Sequence, residues 1–146
     1  MPAHVAEEVA EYLGGRRVLS RSVTSDFDLQ SLIQDRLPVA AVDVVLEGGI
    51  LEPEELYELV IPRRTLSKRR STTGRITTEE SDRLVRVVRI VTLARDTFQE
   101  PENSATWLRR PNRSLGGVRP IDLLKTETGA RLVEAVLGRI GYGVYS

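Results

Sequence analysis

Apolar residues recur at helical spacing along most of the chain, and the breaks between them fall on glycine and proline. Val5, Val9, Tyr12 and Leu13 predict a weak first helix that stops at Gly14-Gly15, with an irregular link to about residue 26. Ser31 to Leu37 predicts a short helix that Pro38 ends or restarts. Val39 to Glu47 is apolar-rich and closes on Gly48-Gly49, a helix C-cap signal. Its β-branched residues would also permit a strand, but helices flank it and no partner strand is visible, so helix is preferred. Pro53 opens the next helix, with Glu54 and Glu55 near the positive end of its dipole and Leu56, Leu59 and Val60 on its buried side. Pro62 opens another in the same way within a residue or two, and Gly74 ends it. Two short helices joined by so tight a turn cross at a large angle.

Thr77-Thr78-Glu79-Glu80 is the clearest start signal, because Thr77 with Glu80 three residues on makes a capping box. Leu84, Val88, Val91, Leu93, Ala94 and Phe98 then follow at helical spacing for about six turns. Val85, Val87 and Ile90 widen that stripe, which predicts a spine helix buried on more than one side. It breaks near Glu100-Pro101. Asn103 to Arg110 predicts a short helix with Trp107 and Leu108, Asn112 to Arg119 a Gly-rich turn, and Pro120 to Leu124 a further helical turn. Thr126 to Ile140 predicts the last helix, with Leu132, Val133, Val136, Leu137 and Ile140 inward. The pattern as a whole is all-α.

Charge adds an asymmetry that the net value of zero conceals. Residues 1–60 carry twelve acids and four bases, whereas Ile61 to Arg75 carries six bases (Arg63, Arg64, Lys68, Arg69, Arg70, Arg75) and no acid. Basic charge on the second of two tightly joined short helices is how helix-turn-helix proteins meet DNA. Stepping about 100° per residue from a buried Leu66 turns Arg64, Lys68 and Ser71 most nearly outward, with Thr65 and Ser67 at the sides. Arg64, Ser67 and Lys68 are therefore the candidates for base edges, and Arg63, Arg69 and Arg70 the candidates for phosphates or for pairing with acids. The bland reading is a solvated charged face or a basic patch for an acidic protein. The turn lacks the customary glycine and has Val60-Ile61 instead.

Other chemistry finds little support. The absence of cysteine excludes disulfides and thiolate metal sites and fits a cytoplasmic protein. No apolar run approaches the ~18 residues of a membrane span, so no membrane partner is expected. The one histidine, His4, lies in a segment expected to fray. The adjacent glutamates Glu7-Glu8, Glu54-Glu55 and Glu79-Glu80 suit helix starts better than acid–base dyads. Gly48-Gly49 and Gly116-Gly117 lack the Lys-Ser/Thr of a phosphate loop, and no cluster has metal-ligand spacing. Neither an enzyme, a cofactor nor a metal is expected. The tail Gly141-Tyr142-Gly143-Val144-Tyr145-Ser146 is too short to bury two tyrosines against itself, so it folds back on the last helix or lies in a partner's groove.

The chain from about residue 50 onward resembles the Xre/MbcA/ParS family of antitoxins, in particular the Xre partners of RES-type toxins. The residues that carry this are Pro62-Arg63-Arg64-Thr65-Leu66, Glu80-Ser81-Asp82-Arg83-Leu84, Arg89, Ala94, Ala105-Thr106-Trp107-Leu108, Pro111-Asn112, Leu115-Gly116-Gly117, Pro120-Ile121-Asp122-Leu123-Leu124, Thr126, Gly129-Ala130, Val133-Glu134 and Ile140-Gly141-Tyr142-Gly143. The resemblance implies a Cro-like helix-turn-helix DNA-binding domain in residues 1–76 and a toxin-binding domain around the long helix in residues 77–146. It implies a homodimer that binds its own promoter and blocks, without chemistry, a toxin that consumes NAD. The DNA-binding set, read from the basic helix itself, is Arg63, Arg64, Thr65, Ser67, Lys68, Arg69 and Arg70. Carried onto this chain, the toxin-blocking set is Arg139, Gly141, Tyr142, Gly143, Val144 and Tyr145. The alternatives from the residues themselves are a stand-alone helix-turn-helix repressor without a toxin and a protein adaptor whose basic helix meets an acidic partner.

Overall fold

The computed structural model of the chain describes residues 4–141 and residue 143, and every regular element among them is a helix. The all-α expectation is borne out. The chain separates into two compact units, up to Val88 and from Arg89 onward.

The first unit contains α1 (Val5–Tyr12), α2 (Gly15–Leu19), α3 (Asp26–Gln34), α4 (Val39–Glu47), α5 (Pro53–Leu59), α6 (Arg63–Ser71) and the start of α7 (Thr78–Phe98). Gly14-Gly15 does more than stop α1: both adopt positive φ (113° and 65°), the chain turns, and a five-residue helix follows where an irregular link was expected. The next helix begins at Asp26, earlier than Ser31, because Ser25 caps it by accepting from the Asp28 N–H at 3.1 Å. Asp28 in turn accepts from the Thr24 N–H and hydroxyl, which hold its carboxyl below the usual range. Val39–Glu47 is helix, as preferred. The core of the unit is aliphatic: Leu13, Leu37, Val42, Val45, Leu56, Ile61, Ile76 and Leu84 are fully enclosed.

The linker after α6 is stitched to the linker before α4. Val39 N–H donates to Gly74 O at 2.9 Å and Ile76 N–H to Leu37 O at 3.0 Å, while Leu37 N–H reaches the buried Ser81 hydroxyl at 2.9 Å. Arg36 and Arg75 each donate across the same seam, Arg36 to the Ile76 and Arg75 carbonyls and Arg75 to the Arg36 carbonyl. Those to and from the buried Leu37, Val39 and Ile76 satisfy backbone groups that no helix can satisfy.

The second unit contains the rest of α7, α8 (Pro101–Leu108), two short 3₁₀ turns (Arg113–Leu115 and Pro120–Lys125) and α9 (Glu127–Gly141). The expected break after α7 is present, with Gln99 at φ 66° and Pro101 in the first turn of α8. Between Leu84 and Ala94, every apolar side chain of α7 is buried, which bears out a helix enclosed on more than one side. Trp107 is half-buried and stacks on Phe98 at 5.6 Å between ring centroids. Two contacts fasten α9. Arg89 of α7 forks onto Glu134 at 2.9 and 3.2 Å, and Gly129 lets the helix approach the Pro120–Lys125 turn so closely that a Cβ there would collide with the Leu123 carbonyl. One expectation fails: Leu132 is 51% exposed and Ile140 is half-buried. The buried stripe is Gly129, Ala130, Val133, Val136 and Leu137, and Leu132 stands one residue, about 100°, off it.

The two glycines of α9 should answer the same substitution with opposite signs. Gly129→Ala overpacks and is expected to cost about 1–3 kcal/mol. Gly138→Ala has open space at its Cβ and is expected to gain about 0.5–1 kcal/mol from helix propensity. Thermal and urea unfolding of both variants checks this, and equal shifts would contradict the close approach at Leu123.

Candidate nucleic-acid and partner surfaces

The turn between α5 and α6 shows why no glycine is needed there. Val60 (φ −117°) and Pro62 (φ −60°) keep ordinary backbone, and the apolar Val60 and Ile61 are buried under the turn. Val60 and Ile61 N–H groups both donate to Leu56 O, and the Arg83 guanidinium from α7 donates to Val60 O at 2.9 Å. Arg83 thus satisfies the carbonyl at the bend.

On α6, Leu66 is the residue turned into the core, at 5% exposure. Arg63, Arg64, Ser67 and Lys68 are exposed and, with Ser71, line an open groove of about 610 Å³. Among the described residues, Arg63, Arg64 and Lys68 make no ion pair through their side chains. Thr65 is half-buried at the side of the helix. The helix is closed by Thr72 and Ser71, whose hydroxyls donate to Lys68 O, and by Gly74 (φ 70°), whose N–H donates to Arg69 O at 2.8 Å.

Arg69 and Arg70, which the sequence left between phosphates and acids, both hold acids. Arg70 forks onto Asp43 of α4 at 2.9 and 2.8 Å. Arg69 forks onto Glu80, with both bonds at 3.1 Å. Glu80 is 5% exposed and also accepts from the Thr77 N–H at 2.7 Å, while the Glu80 N–H donates to the Thr77 hydroxyl. That is the predicted capping box, with an arginine clamped on its outer side. Burial pushes the Glu80 carboxyl up, but the bonds from Arg69 and Thr77 outweigh it and hold the group below its ordinary value. The Arg69 guanidinium is pushed up by the same pair.

The sequence reading missed Asp43 and Arg83. For Asp43 a signal existed: an acid stands inside the apolar run Val42-Asp43-Val44-Val45. For Arg83 no local signal pointed to a carbonyl twenty-three residues upstream.

Of the residues proposed to meet a toxin, Tyr142, Val144 and Tyr145 lie outside the described residues. Gly141 ends α9, and Gly143 is an exposed turn residue. Arg139 is half-buried, and its Nε is enclosed with no hydrogen-bond partner among the described residues. No helix among the described residues is long and apolar enough to cross a membrane.

Two sequence families match in tandem. The antitoxin Xre-like helix-turn-helix domain matches residues 28–89, and the antitoxin Xre/MbcA/ParS C-terminal toxin-binding domain matches residues 93–143. A protein named Antitoxin Xre from Yersinia enterocolitica is 41% identical over 73% of this chain and 75% of its own length. Another Antitoxin Xre, from Photorhabdus laumondii, is 35% identical over 81% of each. A Prs ADP-ribosylating antitoxin from a Sphingobium species is 33% identical over 56% of this chain and 57% of its own.

Because Glu80 has a lowered folded-state pKa, the stability it confers is present above its unfolded value of about 4.5 and is lost as pH falls through the folded value. Urea midpoints from neutral pH down to about pH 3 should therefore show an acid limb. Glu80→Gln should lower the neutral midpoint and flatten that limb. A limb of unchanged steepness in the variant would assign the acid sensitivity elsewhere.

Proposed function

The chain belongs to the Xre family of antitoxins, and on that premise we propose that it silences a RES-type, NAD-consuming toxin by steric occlusion and represses its own promoter. The chain's two tasks divide between residues 1–76, which meet DNA, and residues 77–146, which meet the toxin. It acts as a homodimer in the cytoplasm and has no catalytic role of its own.

The observation that carries the repressor half is the contrast along α6. Three cations, Arg63, Arg64 and Lys68, stand open on one groove, while Arg69 and Arg70 are each forked onto a carboxylate. Arg64, Ser67 and Lys68 read base edges, Arg63 holds a phosphate, and Thr65 supports the flank. The toxin half is supported by the match of residues 93–143 to a toxin-binding domain. The last turn of α9 carries Arg139 with an unsatisfied Nε into the segment Gly141, Tyr142, Gly143, Val144 and Tyr145. An enclosed guanidinium nitrogen without a partner is a site that binding can satisfy. The tyrosines then serve as aromatic anchors at the cleft mouth. The Sphingobium relative bears ADP-ribosylation in its name, a reaction that draws on NAD, which fits an NAD-consuming toxin.

Removing residues 141–146 is expected to abolish protection of cells expressing the adjacent toxin gene while the truncated chain still folds and still binds promoter DNA. Full protection by the truncation would refute the occluding tail. Independently, Arg64→Ala with Lys68→Ala should weaken promoter binding and flatten its salt dependence, by about 0.9 in the log–log slope for each lost phosphate contact. A wild-type chain that binds no promoter DNA at any salt concentration would favour the adaptor reading of α6. Co-purification without any toxin would favour the stand-alone repressor.

A further inference from the structure

The two carboxylate clamps on α6 differ in kind. Glu80 is buried and belongs to a helix cap, so its pair with Arg69 is architectural. The Arg70–Asp43 pair is at the surface, with side chains 51% and 35% exposed. Exposed pairs add little to folding stability, so stability gives weak reason for an acid at that place in α4. Arg70 lies seven residues after Arg63, which puts it about 20° from the same angular position and about 10 Å further along the helix. It therefore stands on the flank that bears Arg63, at the edge of the groove lined by Arg63, Arg64, Ser67 and Lys68. An unpaired guanidinium there would meet a DNA backbone.

We propose that Asp43 limits the strength of DNA binding: it neutralises Arg70 and so removes one phosphate contact per protomer from the DNA-binding face. Phosphate contacts strengthen binding to every duplex alike, whereas base-edge contacts distinguish one duplex from another. Cancelling one backbone contact while leaving Arg64, Ser67 and Lys68 untouched lowers affinity for operator and random duplex by the same factor, which limits retention on non-specific DNA without altering base readout. The fork geometry suits this task, since both terminal guanidinium nitrogens are held on the one carboxylate at 2.9 and 2.8 Å and its charge is offset there. Asp43 and Tyr57 both raise the Arg70 pKa, Asp43 by far the more directly, so the cation is permanent and only a counter-charge can mask it. This inference rests on the reading of α6 as the DNA-binding helix.

The test uses the full chain with two duplexes, its own promoter fragment and a random sequence, over a salt series. Asp43→Asn should steepen the random-duplex slope by about 0.9 per protomer in contact, which is roughly three-fold more affinity lost between about 50 and 200 mM salt. The ratio between the duplexes should stay as in the wild type, because the base-edge contacts are unchanged. The charge-neutral double variant Asp43→Asn with Arg70→Gln should return the wild-type slope. Two results would overturn the proposal while leaving DNA binding intact: an Asp43→Asn slope equal to wild type, or a double variant flatter than wild type by about 0.9, which would mean that Arg70 leaves Asp43 for a phosphate. Failure of the wild-type chain to bind either duplex would sink the DNA-binding reading itself, and this proposal with it. Circular dichroism confirms the fold of each variant, and Asp43→Ser replaces Asp43→Asn if the latter does not fold.

Discussion

The first unit depends on one carboxylate. Glu80 closes the start of α7 by accepting the Thr77 N–H, and the same group grips Arg69 from the end of α6. A buried carboxylate is costly unless each oxygen is satisfied; here the satisfying donors come from two different helices. The cost of burial is thereby turned into a constraint on geometry. Neither the cap nor the clamp can form unless α6 arrives at the right place, and α6 is the element whose outer face presents the open cations. Ser81, the next residue, reaches the Leu37 N–H and ties the α3–α4 linker to the same point. The first turn of α7 thus organises the seam between three segments distant in sequence.

Steric approach does in the second unit what polar bonds do in the first. Gly129 has an ordinary helical backbone, so its role is the missing side chain, which lets α9 lie against the Leu123 carbonyl. Arg89 and Glu134 then fix the rotation of α9 about its axis. That rotation decides which residues are presented at the end of the helix. Arg139 lies about one and a half turns beyond Glu134 and about three beyond Gly129, so these contacts set the face on which it stands.

Much of this was legible in the sequence where the signal is local. The capping box at Thr77 and Glu80, the prolines at the starts of α5 and α6 and the long apolar stripe of α7 each state a physical requirement within a few residues. The misses share a cause. Ser25 and Asp28 cap α3 through polar side chains that carry no hydrophobic period, so the helix was read as starting at Ser31. Gly14-Gly15 was read as an end, although positive φ at two successive glycines equally allows a restart. Leu132 was placed inward because it is apolar, but its neighbour Val133 occupies the buried stripe, and the Gly129–Ala130 register that decides between them is visible only once the Leu123 carbonyl is in place. The partners of Arg69, Arg70 and Arg83 are tertiary, and no spacing within α6 or α7 could assign them.

The excess of arginine invites a misreading that the structure corrects. Nineteen of the twenty-one bases are Arg, a bias that suits phosphate recognition. Yet Arg69, Arg70, Arg89 and Arg119 all fork onto carboxylates within the chain. Arg36, Arg75 and Arg83 hold backbone carbonyls. A lysine, as a compact point charge, could not make two parallel bonds to one carboxylate. Part of the arginine bias is therefore internal: Arg69 and Arg89 fork between helices, and Arg36, Arg75 and Arg83 close backbone carbonyls. Of the six bases between Ile61 and Arg75, the three left open are Arg63, Arg64 and Lys68, and they are set apart by what the other three are bonded to. Where a basic helix is knitted this closely into its own scaffold, the charge available to a ligand is the surplus over internal acid: Glu80 and Asp43 offset two of the six bases, and Arg75 keeps its charge while tied to a backbone carbonyl.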